Sequence, residues 1–357
     1  MLQRWLTQLL TFLLFGWSLA CHPQKAAVTA MSGFSALSAG KRPSNTSCLA
    51  RIRSAEPFPK TLSESGCVDP ALPQNPAAGM IPYEIVAPLW SDGSSKERYL
   101  ALPDDGILLL TSGGSIEAPV GTVTMKTFRL EDKPIETRLF MHDAEGQWHG
   151  YSYEWREDGS DADLVEKGKE KILSHQTWVF PSSKTCDSCH SANAGFVLGL
   201  QAAQLNQPLA ILGDTSKDQI TLWKDLGLLK DTRPRADGVA LVDYRDKDQA
   251  LGVRARSYLQ ANCAFCHQPG SAVGGSMDLR ADTSFANMGL CQSEPQFDTL
   301  GLTDPKLYKP GSPEESILYL RMKADDINHM PPLISRVNDP LGINLIKLWI
   351  ESRSSCL

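Results

Sequence analysis

Two pentapeptides carry the residues best suited to chemistry. Cys186-Asp187-Ser188-Cys189-His190 and Cys263-Ala264-Phe265-Cys266-His267 both spell CxxCH. Thiols three positions apart lie close together on a turn of helix, so each can reach one vinyl group of the same porphyrin. The histidine directly after the second thiol is then held under the ring, where its nitrogen can bind iron as proximal ligand. Covalent attachment also keeps such a group in place when it is partly exposed, as an electron carrier needs. Chance supplies one such pentapeptide in roughly 0.004 of sequences with this content of cysteine and histidine, and two in about one of 100,000. A zinc site built from both CxxC pairs gives no reason for the two histidines. Its pairs usually stand roughly 15–20 residues apart, whereas 74 positions separate Cys189 from Cys263. A thioredoxin-like redox pair needs a surrounding βαβ pattern that this sequence lacks. Two covalently bound c-type haems are therefore expected, attached through Cys186, Cys189, Cys263 and Cys266, with His190 and His267 on the irons.

The opposite face of each iron is the next question. For the second haem, His329-Met330-Pro331-Pro332 places a methionine in a proline-stiffened loop well downstream of the motif, where a distal thioether is expected. Met330 leads its competitors. Met322 reads as core filler, Met277 and Met288 lie in the loop after the motif, and His329 is adjacent. Thioether ligation favours ferrous iron and raises the potential. Arg280 could pair with a haem propionate or stand as a surface arginine. For the first haem no Met or His occurs between His190 and His267. Upstream candidates are Met125, Met141, His142, His149 and His175, each of which also has an ordinary core or surface reading; an open iron is the other possibility.

Elements must position these groups. Leu251, Ala255, Tyr258 and Leu259 form a helical stripe leading straight into Cys263. Ser312-Pro313-Glu314-Glu315 has the form of a capping box and predicts a helix to about Lys323. Asp339-Pro340 predicts a terminal helix with Leu341, Leu345, Leu348 and Trp349 on one face. Residues 120–128, 135–142 and 147–156 read as strands, the last two joined by a hairpin turn at Asp143-Ala144-Glu145-Gly146. Their Trp and Tyr residues read as core, or as a lining for the first haem. Ile220, Trp223 and Leu226 mark a further helix. The expected architecture is α+β, with an N-terminal β-rich, sandwich-like domain (48–180) followed by helical cytochrome c-type haem regions (181–247 and 248–357).

The chain has 357 residues, 42% hydrophobic and 21% charged, with a formal net charge of −6. No basic stripe is present, so nucleic acid is not an expected partner. Residues 5–20 are uncharged after Arg4 and end in Ser18-Leu19-Ala20-Cys21, which reads as an export signal with a lipobox over residues 1–21. Ser18 departs from that pattern, and an ordinary cleaved signal or an uncleaved anchor are the alternatives. Residues 22–47 read as a flexible tether. With Cys21 lipidated, His22 in place of an acidic residue points to the outer membrane. Nine cysteines then divide into one lipidated, four in the motifs, and Cys48, Cys67, Cys291 and Cys356. Export favours two disulfides; proximity favours Cys48–Cys67, leaving Cys291–Cys356, among three possible connectivities.

Several phrases resemble one family. They are Pro119-Val120-Gly121-Thr122-Val123, Lys126-Thr127-Phe128, Glu136-Thr137-Arg138-Leu139, Gly150-Tyr151-Ser152-Tyr153-Glu154-Trp155 and Trp178-Val179-Phe180-Pro181-Ser182, followed by CDSCH. Leu198-Gly199-Leu200, Gln204-Leu205-Asn206, Tyr319-Leu320-Arg321-Met322 and Met330-Pro331-Pro332 continue the series. Together, across roughly residues 80–355, they look like the dihaem c-type cytochromes of proteobacteria. That resemblance implies an exported haem protein in electron transfer. Three functions compete: a carrier or relay between periplasmic or membrane-bound redox partners; a haem enzyme, peroxidase-like or another small-molecule reductase or oxidase, using an open first haem; and an accessory subunit docked through its β domain.

Overall fold

Three long strands grow around the tight turn at 143–146. Asp143 and Gln147 close it with a backbone bond of 2.8 Å, and Gly146 takes the left-handed φ of 76° that the turn demands. The computed structural model describes residues 37, 40–44, 47–48, 58–209, 216–233, 238–271, 275–332 and 335–356. The expected signal and its Cys21, with most of the tether, lie outside the described residues. The strands are β1 (Ile81–Pro82), β2 (Ser95–Ala101), β3 (Leu108–Leu110), β4 (Ile116–Glu117), β5 (Val123–Leu130), β6 (Lys133–His142), β7 (Trp148–Trp155), β8 (Ala162–Leu164), β9 (Lys169–Ile172), β10 (Thr177–Phe180) and β11 (Leu229–Asp231). A six-stranded sheet runs β1-β2-β5-β6-β7-β8, every pair antiparallel. β9 and β10 form a hairpin, while β11 lies parallel to β3 and β4 antiparallel to it.

Strand alternation gives the large sheet two unlike faces. One buries Tyr99, Met125, Leu139, Met141, Tyr153 and Trp155 over the Cys48–Cys67 disulfide. The other carries Lys96 and Arg98, Lys126 and Phe128, Arg138 and Phe140, and Gly150 in register. The aromatic residues of β7 thus mostly serve the core; Trp178 of β10 and Trp90 face the cavity described below.

The helices are α1 (Ser183–Cys189), α2 (Ala202–Leu205), α3 (Gln219–Asp225), α4 (Leu251–Asn262), α5 (Ile317–Lys323) and α6 (Pro340–Glu351). The expected α+β architecture with helical cytochrome c-type regions does not hold. Among the described residues the fold is mainly β, eleven strands in three sheets, and the longest helices have 12 residues. The reason is visible after the second motif, where Gly270, Gly275, Gly289, Gly301 and Gly311 all take left-handed φ and break the chain into turns. The single helix expected over 312–323 is split. Ser312 makes no side-chain cap, Pro313–Glu315 form a 3₁₀ turn, and Ser316 is extended. The Ser316 hydroxyl donates to the Ser312 carbonyl at 2.8 Å, taking the acceptor a continuing helix would use.

α6 is capped as expected: the Asp339 carboxylate accepts from the Leu341 and Gly342 amides, each at 3.0 Å. Its buried face is Gly342, Leu345, Ile346, Trp349 and Ile350, while Leu341 and Leu348 are exposed. Gly342 is required where α6 crosses α4, because a Cβ there would collide with the Tyr258 ring. The second disulfide joins Cys291 to Cys356. In the chain-entropy account, spans of 19 and 65 residues correspond to about 3 and about 4 kcal/mol. No described helix is long and apolar enough to cross a membrane.

Candidate functional site

The first CxxCH begins in a capped helix against the sheet. Ser182 caps α1, its hydroxyl accepting from the Thr185 amide at 3.2 Å, and the helix ends at His190, whose amide donates to the Cys186 carbonyl at 2.9 Å. Spacing i, i+3 puts Cys186 and Cys189 on one side of this short helix. β7 must be bare where the helix meets it. A Cβ at Gly150 would lie 2.6 Å from Cys186 Sγ, and the Ser183 hydroxyl donates to the Gly150 carbonyl. Phe140 of β6 stands 4.3 Å from the His190 ring, centroid to centroid, and is itself stacked on Trp148.

The His190 ring is held in one tautomer. Its Nδ1 lies 2.5 Å from the Phe196 carbonyl oxygen. A carbonyl only accepts, so Nδ1 carries the proton and Nε2 keeps its lone pair. Phe196 holds a φ of 57°, unusual for a bulky residue, in the turn that presents this carbonyl. Burial, then the Lys126 charge, pushes the imidazole down to about 3, so it is neutral at ordinary pH.

The second CxxCH sits at the end of α4, whose Ala255, Tyr258 and Leu259 are buried in the C-terminal core. One bond recurs, the His267 amide donating to the Cys263 carbonyl at 2.9 Å, but here in a turn that follows the helix rather than inside it. The supports differ, being helices and loops here. Met330 is held by its amide bond to the Arg321 carbonyl at 2.9 Å. The adjoining loop is tied down by buried Asp92, which accepts from the Ser335 hydroxyl at 2.6 Å and from the Arg336 and Val337 amides. Trp90 completes the strap, donating from Nε1 to the Val337 carbonyl at 2.7 Å and from its amide to Asn262 at the end of α4.

Both motifs open into one cavity of about 1040 Å³, which Met330 also lines. That lies at the upper limit of ordinary small-molecule pockets, roughly 300–1,000 Å³. The motifs are neighbours within it: the Cys189 thiol is pushed up to about 11 by burial and, next, by Cys266 of the other motif. The loops that follow them also meet, since a Cβ on Gly270 would lie 3.2 Å from Asn193. The four thiols are unbridged. Burial pushes Cys186 up to about 11 and Cys263 to about 12, the reverse of the lowered thiol a dithiol redox catalyst requires. Among the described residues no three His, Cys, Asp or Glu side chains gather as a metal-holding group, so the thiols stand as two pairs rather than one tetrahedral set.

The competing ligands lie elsewhere. Met322 and Met288 are buried in the C-terminal core and Met277 packs against it. His329 bonds through Nδ1 to the Ala324 carbonyl at 2.9 Å and does not line this cavity. Of the upstream candidates, Met125 and Met141 belong to the core on the far face of the sheet. His142 is bound to the Ala118 carbonyl, His149 to Asp143, and His175 is exposed. Among the described residues Met330 is the one methionine, and the motif histidines are the only histidines, lining the cavity. Arg280 lines it too but is gripped by Asp278 through Nε at 2.8 Å and Nη2 at 2.6 Å.

Four features of the site were not expected from sequence: Gly150, Asp92, Phe196 and the cations Lys96, Arg98 and Lys126. For the cations a signal was present, since Lys96-Glu97-Arg98 alternates on a strand, but such a pattern ordinarily marks a solvated face. Comparison of the chain with family models, with curated proteins and with solved structures returns no match.

Proposed function

We propose that this protein is a dihaem c-type cytochrome that relays electrons between redox partners outside the cytoplasm. The observation that carries this reading is the meeting of both CxxCH motifs in one large cavity. Cys186 with Cys189, and Cys263 with Cys266, would each hold one haem by two thioethers, with His190 and His267 on the irons. Bound haem supplies an iron that takes up and releases one electron. The chain's own residues do the rest. The Phe196 carbonyl fixes the His190 tautomer, Met330 offers a thioether to one iron, and Phe140 and Trp178 would give the first haem an apolar wall. Neighbouring motifs allow direct transfer between the two groups, which suits a relay. The donor and acceptor would be redox proteins, the compartment the periplasm, and the anchor a lipid on Cys21 at the outer membrane; those three rest on the sequence.

A second reading has its own observation: one methionine lines a cavity that would hold two irons. An iron with an open face is the requirement of a haem enzyme, such as a peroxidase or other small-molecule reductase or oxidase. One experiment separates the two. The protein is produced with the c-haem maturation machinery, reduced with dithionite, and its visible spectrum recorded with and without carbon monoxide. Two covalent haems and no change with the gas support the relay; a shift in about half the absorbance moves the enzyme reading forward; no haem overturns both.

A further inference from the structure

The sheet face that walls the cavity carries more positive charge than the protein neutralises. β2, β5 and β6 place Lys96, Arg98, Lys126 and Arg138 together, Arg98 directly opposite Lys126 and Lys126 directly opposite Arg138. Opposed side chains on a sheet start roughly 4.5–5.5 Å apart at Cβ, and like charges so placed repel. Glu136 is the fully buried carboxylate of this face, and its oxygens are taken. It accepts from Arg138 at 2.7 and 2.8 Å, from the Ser152 hydroxyl at 2.5 Å and from Trp178 Nε1 at 3.0 Å. Glu154, the next carboxylate along, is held by Lys169 and Lys171.

That leaves Lys96, Arg98 and Lys126, none of which forms an ion pair among the described residues. Lys96 donates to the Leu89 carbonyl, Arg98 to the Lys96 carbonyl at 3.3 Å, and Lys126 to the Leu198 carbonyl at 3.1 Å. Glu84 and Asp92 favour the charges of Arg98 and Lys96 from farther away, but Asp92 is committed to residues 335–337. Burial first, and then the neighbouring cations, push Lys96 far down and Lys126 to about 7. Removing a cation from water without a partner costs several kcal/mol. All three half-buried side chains line the cavity into which the two motifs open, so an anion bound there would satisfy them.

We propose that Lys96, Arg98 and Lys126 bind the propionate carboxylates of the haems held by the two motifs. This rests on the dihaem reading. Two haems bring four carboxylates, and Lys126 lines the same cavity as His190 and His267. A cation against a propionate also disfavours the extra positive charge of ferric iron, so the face would raise the potential of the haem it touches.

The test uses the full-length, haem-loaded protein. Lys126→Met keeps the length of the side chain and removes the charge, and Lys126→Arg keeps the charge. Midpoint potentials are measured by spectroelectrochemistry and the propionate-bending bands by resonance Raman. Lys126→Met is expected to retain two thioether-linked haems, to lower the potential of at least one, and to shift its propionate bands, with Lys126→Arg close to the parent. If Lys126→Met fails to mature, Arg98→Gln is read in the same way. Two haems with unchanged potentials and bands would overturn this inference and leave the dihaem reading standing. A parent protein without covalent haem would overturn both.

Discussion

The two CxxCH motifs share one backbone hydrogen bond but differ in secondary structure and in surroundings, the first lying within α1 and the second in the turn after α4. In each, the histidine amide reaches back 2.9 Å to the carbonyl of the first cysteine. Around the first, support comes from a sheet: Gly150 admits Cys186, Phe140 lies beside His190, and the cationic strands form the wall. Around the second, it comes from α4, α6 and the Met330 loop, tied across the chain by Trp90 and Asp92. The five-residue pattern thus closes the same bond inside a helix and in the turn that follows one. Everything that would distinguish one iron from the other, in ligand, charge or exclusion of water, belongs to the surrounding fold.

The largest expected effect tests whether the motifs are independent. Replacing Cys186 and Cys189 by alanine, and separately Cys263 and Cys266, should each remove one of two covalent haems, halving the pyridine haemochrome absorbance per chain. Loss of both from either variant would mean that one site is built on the other. Next comes Met330→Ala. It should lower the potential of one haem only and let that haem bind carbon monoxide; an unchanged spectrum and potential would remove Met330 from the site.

Gly150→Ala should act on the sheet side alone. Its Cβ would sit 2.6 Å from Cys186 Sγ, and overpacking of this kind costs about 1–3 kcal/mol. The expected result is a lower denaturant midpoint with reduced attachment at Cys186, read by mass spectrometry of haem peptides, and normal attachment at Cys263. The smallest effect belongs to the helical side. The Arg280 guanidinium, with help from the Thr283 hydroxyl, holds the Asp278 carboxyl down at about 2. Because the folded value lies below the unfolded one near 3.9, this stabilisation is complete above about pH 4 and is lost as pH falls through 2. Asp278→Asn should cost about 1–2 kcal/mol at pH 7, after allowing for the exposure of Arg280, and only a small fraction of that at pH 2, where the folded carboxyl is already half protonated. Equal losses at both pH values would assign the effect to packing instead.

Much of this was legible in the chain, but unevenly. The hairpin at 143–146 and the strands around it follow from period-two alternation and a turn glycine, and α4 follows from its apolar stripe. The two disulfides join Cys48 to Cys67, the pair that proximity favours, and Cys291 to Cys356, the pair that this leaves. The helical expectation for the second half failed for identifiable reasons. Ser316 turns its hydroxyl onto the Ser312 carbonyl and stops one helix, and repeated left-handed glycines deny the loops after Cys266 any regular form. On α6, periodicity places Leu341 and Leu348 on the apolar stripe, yet both are exposed, because which edge of the stripe is covered depends on where α4 lies.

The chemistry available is readable from residue order: two pairs of thiols, each followed by a histidine, and a methionine in a stiff loop. Those follow from residue type and from spacings of five residues or fewer, where the backbone allows few arrangements. That both pairs share one cavity, that Glu136 is fully engaged, and that Lys96, Arg98 and Lys126 are left facing the same space emerges from the folded chain alone. Such facts depend on strands and loops far apart in the chain meeting in one register. Local propensity carries no information about that pairing, because burial and cross-strand packing select it.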